Sequence, residues 1–409
     1  MNKQIIEVPK EIRYISEWLD FDTSLLNGHC ILNKTITGCG FTHYSLVSNI
    51  PTILCSPRKF LLENKHRQHG SSIHLVINEG EKSLDVDGIN NLNYSGQRKD
   101  LSYEDKLENF EIINDIKSSL SLYIFNCKLS NQTPKILVTY DSLKYVLEVI
   151  GQDIINYSVI VDEFQNIFMD SSFKAEVELN FIDVLQDCPN VTYLSATPYI
   201  EEYLDELDEF KNLPYYELKW DSSRLRTIEV DFKKTSMISR EVDKFIKNYL
   251  SGNFITRIDE NKNVYESKEL VFYVNSVKMI RSIIKRNNLT PDQVNIICAN
   301  TKSNQDTLEK IGHRIGTAPL IGEPHKMFTF CTRTTYVGAD FYSTNAYTVV
   351  VSDCKIDSLT SDIRMDFPQI MGRQRLKENV FRNECTFIFS LADNSITLEQ
   401  FKEISEKKA

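Results

Sequence analysis

The chain has 409 residues, of which 41% are hydrophobic and 25% charged, values ordinary for soluble globular proteins and sufficient for two or three domains, most simply two. Its net charge of −10 argues against coating nucleic acid by charge alone, while leaving room for a local basic groove among 47 Lys and Arg. No apolar stretch approaches the roughly 18–20 residues of a membrane helix, and Glu7 and Glu11 stand where a signal peptide is basic and then apolar, so a cytoplasmic protein with no membrane partner is expected.

In chain order, short β-branched runs bounded by polar turns recur: HCILN, TILCS, IHLVIN, KILVTY, SVIVDE and VTYLSA, then ELVFYV, VNIICA, MFTFCT, YTVVVS and CTFIFS. Runs with so few alternating polar positions predict strands buried on both faces, as in a parallel sheet covered by helices. Helical patterns separate them (RKFLLENKH, SLKYVLEVIGQ, NSVKMIRSIIKRNN, SNQDTLEKIG), and the alternation predicts the α/β class. The series breaks after residue 199, where residues 201–209 carry six acids, read as a solvated helix face. TIEVDFKK predicts a strand opening a second block, SREVDKFIKNYL a helix, and NFITRIDENKNVYES a hairpin turning near Glu260–Asn261. These features place one domain over 1–225, with an insertion at about 79–131, and a second over 226–409.

Nine Cys fall singly, with no CxxC or CxH pair, which disfavours a disulfide scaffold and a zinc ribbon. His66, His69 and His74 lie close together, but HRQHGSSIH reads as a helix end running through a loop into a strand.

Two stretches carry chemistry. In ILNKTITGCGFTH a strand enters a Gly-rich turn and then a helix. Thr37, Gly38, Cys39, Gly40 and Phe41 form a loop whose N–H groups can face phosphate, and Thr42 stands where a hydroxyl would hold Mg²⁺. In YSVIVDEFQ an apolar strand ends in Asp162 and Glu163, at the carboxyl edge where open α/β sheets bind ligands. The first acid can hold Mg²⁺ and the second can polarise an attacking water. Thirty residues on, another such strand ends in Ser195, Ala196, Thr197 and Pro198.

GxGxT, an apolar strand ending in DExx, and SATP, in that order, resemble superfamily 2 helicases and translocases. CSPRKFLLENK resembles motif Ia of that family, VTYDSL its later DNA-contact motif, and LVFYVNSVK its motif IV. FCTRTTYVGADF is similar to motif V, with Thr332, Gly338 and Asp340 on its Thr, Gly and Asp. QIMGRQR is similar to motif VI, with Gln369, Gly372, Arg373 and Arg375. From motif V to motif VI the chain looks especially like the herpesvirus origin-binding-protein group, and the resemblance covers about residues 28–390.

The resemblance implies two tandem RecA-like domains with mainly parallel sheets and a nucleotide cleft between them, and ATP hydrolysis with Mg²⁺ coupled to movement on nucleic acid. DNA is placed ahead of RNA, in replication or recombination of a phage or mobile element, with replication proteins as partners. Arg373 and Arg375 become candidate arginine fingers. On a helix beginning near Pro368 they would stand about 200° apart, so one of them could instead bind an interface acid. Pro57, Arg58, Thr139, Ser142, Asn275, Ser276 and Thr332 become candidate nucleic-acid backbone contacts, which carry no sequence information. Ser195, Ala196 and Thr197 become coupling residues.

The sequence departs from the family twice. Gln165 ends a DEFQ box, where it can link the acids to Ser195 or Thr197. Phe41 takes the place of the phosphate-loop lysine, whose loss should cost several kcal/mol of transition-state stabilisation. Lys34, at the end of the preceding strand, can supply that charge from another direction or be a solvated strand-end lysine. Phe41 also leaves open a catalytically impaired pseudo-helicase that binds nucleic acid or a partner without turnover.

Overall fold

The computed structural model describes residues 3–26, 28–78, 103–169, 179–196, 204, 208–259, 261–336, 338–356, 359–363 and 366–391. The first half of the expected insertion, Thr197, most of the acidic 201–209 stretch and Glu260 lie outside them.

The chain divides into two compact units, Met1–Arg226 and Thr227–Ala409. In the first, eight strands form one parallel sheet: β1 (Lys3–Glu7), β2 (Cys30–Asn33), β3 (Thr52–Ser56), β4 (His74–Val76), β5 (Lys135–Thr139), β6 (Ser158–Val161), β7 (Val191–Ser195) and β8 (Tyr215–Lys219). Their order across the sheet is β1-β8-β2-β7-β6-β3-β5-β4. β2, β3, β5, β6 and β7 are buried along their whole length, which is why their sequences run apolar without alternation.

The second unit has β9 (Glu229–Lys234), an antiparallel hairpin of β10 (Ile255–Ile258) and β11 (Val264–Ser267), and then β12 (Glu269–Val274), β13 (Val294–Ile297), β14 (Phe328–Cys331), β15 (Ala346–Asp353) and β16 (Glu384–Ser390). Its main sheet is parallel, in the order β13-β14-β12-β15-β16-β9. The fold is therefore the expected α/β one, with tandem units on parallel sheets. Two strands were not expected, β1 and β8. They pair with each other at one edge of the first sheet, where β1 is largely exposed and β8 only half-buried, so neither carries the continuous apolar run of its neighbours.

Helices follow the strands as the patterns predict: 41–47, 59–69, 143–150, 238–250, 277–286 and 302–309. Within the expected insertion, Tyr103–Ser130 is one long helix whose Leu120 is buried in the first core with Ile136 and Val146. No helix among the described residues is long and apolar enough to cross a membrane.

Candidate nucleotide site

The topology brings three motif strands side by side. β7, ending at Ser195, lies between β2, which leads into the glycine loop, and β6, which leads into Asp162 and Glu163. Backbone bonds continue past the strand ends: the Lys34 N–H donates to the Ser195 carbonyl (2.6 Å), and the Phe164 N–H to the Leu194 carbonyl (3.0 Å). Residues more than a hundred positions apart therefore meet at one sheet edge, where open α/β sheets place ligands.

Lys34 is not solvated. It is only 5% exposed, and its Nζ donates to Asp162 Oδ1 (2.9 Å) and Glu163 Oε1 (3.3 Å). Its backbone is fixed as well, because the Trp220 Nε1–H donates to the Lys34 carbonyl (2.9 Å) just past β8. Thr35, next in the chain, is a β-branched residue held at φ 56°, with its hydroxyl donating to the Lys34 and Leu218 carbonyls. Such a conformation costs about 1–3 kcal/mol and persists only where the surroundings enforce it. The same holds for Glu163 at φ 52°.

Around the carboxylates every oxygen has a donor. Asp162 Oδ1 accepts from Lys34 and from the Glu163 N–H (3.1 Å), and Oδ2 accepts from the Thr42 hydroxyl (2.8 Å). Glu163 Oε1 accepts from Lys34, and Oε2 from Gln165 Nε2 (2.5 Å). Burial works to raise the Asp162 carboxyl, but the Lys34 ammonium and the bonds from Lys34 and Thr42 outweigh it and hold the group below its ordinary value. Burial likewise works to lower Lys34, and the two carboxylates outweigh it and push the amine up. Gln165 is bound to Glu163, and Ser195 and Ala196 lie buried beside it at the end of β7.

Above this network runs the loop. Gly38 and Gly40 both take positive φ (72° and 81°), and a Cβ on Gly40 would press against Tyr14 at 3.2 Å, so glycine is required there. Gly38 is exposed and Thr37 half-buried, while Cys39 is buried. The N–H groups of Thr37, Gly38 and Gly40 have no protein acceptor among the described residues, as a phosphate-facing loop requires. Phe41, which takes the place of the phosphate-loop lysine, turns its side chain inward. It is 1% exposed and packs edge-on against Phe21 at 5.6 Å, so it anchors the helix 41–47 in the core.

Thr42 Oγ1 and Asp162 are hard oxygen donors within hydrogen-bond distance of each other. Among the described residues no group of three His, Cys, Asp or Glu could hold a metal, and that includes His66, His69 and His74. The donor set suits an ion that takes one or two side chains and completes its shell with phosphate oxygens and water, the habit of Mg²⁺.

The second unit carries the other candidates. The helix expected near Pro368 spans Asp366–Met371 and ends before the arginines, so the 200° separation does not arise. Gln374 instead bridges to Phe341, and Arg373 and Arg375 flank that bridge and converge on one acid. Arg375 reaches Asp340 Oδ1 through Nε and Nη2, each at 2.7 Å, and Arg373 Nη1 lies 3.4 Å from the same oxygen. Arg373 also donates to the Gln369 carbonyl (2.8 Å) and Oε1 (3.1 Å). Its side chain is 6% exposed and that of Arg375 24%. Gly338, two residues before the acid, sits at φ 104°.

Of the nucleic-acid candidates, Pro57, Arg58, Asn275 and Ser276 are half-buried at the carboxyl ends of β3 and β12, and Thr332 is 7% exposed after β14. Asn275 Oδ1 accepts from the Arg333 N–H (3.1 Å), and the Ser276 hydroxyl caps the following helix at Met279 N (3.1 Å). Thr139 and Ser142 depart from expectation as phosphate contacts: both are buried, and their hydroxyls bond each other at 2.9 Å.

No protein-family model matches the sequence, and no curated protein matches it. Solved structures do. A Dbp5 variant from S. cerevisiae bound to a Gle1 variant and IP6 is similar at 13% identity, over 98% of this chain and 87% of that one, with a TM-score of 0.48. RecG bound to a three-way DNA junction is similar at 12% identity, over 93% of this chain and 42% of that one, with a TM-score of 0.43. A DEAD box protein from the hyperthermophile Methanococcus jannaschii is similar at 11% identity, over 94% of this chain and 86% of that one, with a TM-score of 0.33.

Proposed function

We propose that the protein is an ATP-dependent helicase or translocase of superfamily 2 type, acting on DNA in replication or recombination of a phage or mobile element. The observation that carries the reading is the buried cluster of Lys34, Thr42, Asp162 and Glu163 beneath a glycine loop with free N–H groups.

In this reading the loop N–H groups of residues 37–40 bind the nucleotide phosphates. Thr42 and Asp162 would hold Mg²⁺, which when bound neutralises charge on the β- and γ-phosphates. Glu163, fixed by Gln165 and by its left-handed backbone, orients the attacking water and takes its proton. Arg375, the more exposed of the two arginines, supplies positive charge to the γ-phosphoryl group, and Arg373 holds Asp340 and Gln369 in place behind it. Asn275, Ser276 and Thr332 offer backbone-phosphate contacts at the end of the second sheet, and Pro57 and Arg58 at the first. The position of β7 between the strand of the glycine loop and the strand of the acids supports a coupling role for Ser195 and Ala196, with Thr197 next in the chain.

Burial of Phe41 favours a second reading, a pseudo-helicase that binds nucleic acid or a partner protein without turnover, because the fold has given the usual lysine position to the core. Steady-state ATP hydrolysis with and without single-stranded DNA separates the two. DNA-stimulated turnover supports the enzyme, and absent turnover with retained DNA binding supports the pseudo-helicase.

A further inference from the structure

The helix Tyr103–Ser130 carries two apolar faces. One turns inward: Leu120 and Cys127 are buried, and Ile116, Tyr123 and Ile124 pack against the first core. At about 100° of rotation per residue, the opposite face is centred on Ser118. A helix lying on a core is normally polar on that side. Here Leu107, Phe110, Leu122, Phe125 and Leu129 stand there, between 48% and 72% exposed. Five large side chains exposed to this extent present roughly 500 Å² of apolar surface, as much as the largest patch of a typical monomer, which often marks a binding face.

The spacing of the stripe points to what covers it. Turning the helix end for end about Ser118 exchanges Leu107 with Leu129 and Asn114 with Leu122, and brings Phe110 to within one residue of Phe125. A face that reads alike in both directions complements itself, which is the condition for a two-fold contact between identical chains. Ser118 and Ser121 at its middle are small and exposed, so two helix axes can approach there to about 8–10 Å while the larger side chains interlock on either side. Two copies would bury roughly 1,000 Å² of apolar surface. The exposed Glu111, Asn114 and Asp115 add to that and bring the contact into the range of about 1,200–2,000 Å² found in stable interfaces. The same two acids disfavour nucleic acid and an anionic membrane as occupants. We propose that the protein forms a two-fold dimer through this helix, paired antiparallel about Ser118. Leu107 of one copy then lies against Leu129 of the other, and Phe110 against Phe125. This assembly is independent of the nucleotide reading.

Sedimentation equilibrium of the full chain tests the assembly. Wild type should be a dimer at micromolar concentration. Phe125→Lys puts two ammonium groups into one contact and should weaken self-association at least a hundredfold. Because residue 125 is exposed, the variant diluted to monomer should melt at the same temperature as diluted wild type. Cysteines test the register, with the unsubstituted chain as background. Ser118→Cys meets its own counterpart at the two-fold and should form an inter-chain disulfide on mild oxidation. Phe125→Cys lies about 21 Å along the helix from its counterpart and should form none. A wild type that stays monomeric overturns the proposal, whether the face is bare or taken by another protein. A dimer that survives Phe125→Lys also overturns it. So does a lower melting temperature of the diluted variant, which would mean that the stripe packs within its own chain. Disulfides as abundant in Phe125→Cys as in Ser118→Cys would mean a parallel pair and overturn the antiparallel contact.

Discussion

The two units each bury a small charged cluster at the end of a parallel sheet, and the clusters are opposites. In the first, one lysine bonds two carboxylates; in the second, two arginines converge on one carboxylate. In the proposed reading the first cluster would meet a metal cation and the second a phosphoryl anion.

Substitutions can break this comparison. The largest effect is expected at Glu163. Glu163→Gln keeps the shape and the bond from Gln165 but removes the base, so turnover should fall by about 10²–10⁴-fold. AMP-PNP affinity, measured beside it, should stay near wild type. Unchanged turnover removes Glu163 from the chemistry and leaves it a partner of Lys34.

Next come the stability effects. Phe41→Lys places an amine where a fully buried ring now meets Phe21, and should cost at least about 3 kcal/mol in a denaturant titration. A stable, faster Phe41→Lys enzyme would mean the loop can carry a lysine in the usual place. Arg373→Ala leaves Asp340 short of one partner and Gln369 without its guanidinium, and should cost the second unit about 3–5 kcal/mol. Arg375→Ala removes the two shortest bonds to the buried Asp340, so it should cost a comparable amount and, beyond that, lower kcat per folded molecule by about tenfold or more. Equal losses of stability for both arginines, with kcat per folded molecule untouched, would make the second cluster purely structural.

The smallest effect sharpens the comparison through pH. Asp162 is held below its ordinary value in the folded state, so its contribution is present above about pH 4 and lost as pH falls through the folded value. Lys34 is raised, so its contribution is complete below about pH 10.4 and lost only at higher pH. From this pair, thermal stability should fall as pH drops below about 4. In Lys34→Met the largest opposition to the burial of Asp162 is lost while the Thr42 bond remains, so this fall in stability on acidification should shrink or disappear.

Much of this was legible in the sequence because strands buried on both faces advertise themselves as unbroken apolar runs, and the residues after them mark the sheet edge. TGCGFT, DEFQ and SA could be placed at one edge from the strand ends alone. What was not legible depends on partners far along the chain. Lys34 meets carboxylates 128 and 129 positions away, and nothing local distinguishes it from a strand-end lysine in water. β8, which places Trp220 on the Lys34 carbonyl, lacks the apolar run because it lies next to the edge. Thr139 and Ser142 carry the right hydroxyls for phosphate contact but turn them inward to each other, a matter of side-chain direction. The arginines were read on a helix that the chain ends one residue before Gly372.

The protein has two tryptophans, Trp18 and Trp220, and both lie in the first unit. Trp220 holds the Lys34 carbonyl, while Trp18 packs on Phe21 at 5.5 Å, and Phe21 in turn packs on Phe41. The second unit contains tyrosine but no indole. Excitation at the red edge of the absorption band therefore reads the first unit alone, and the chain comes with its own optical reporter, joined through Lys34 and through Phe21 and Phe41 to the segment that holds the glycine loop. Ligand titrations and the melting of one half can be followed by emission without attaching a dye, while tyrosine signals or circular dichroism follow the rest.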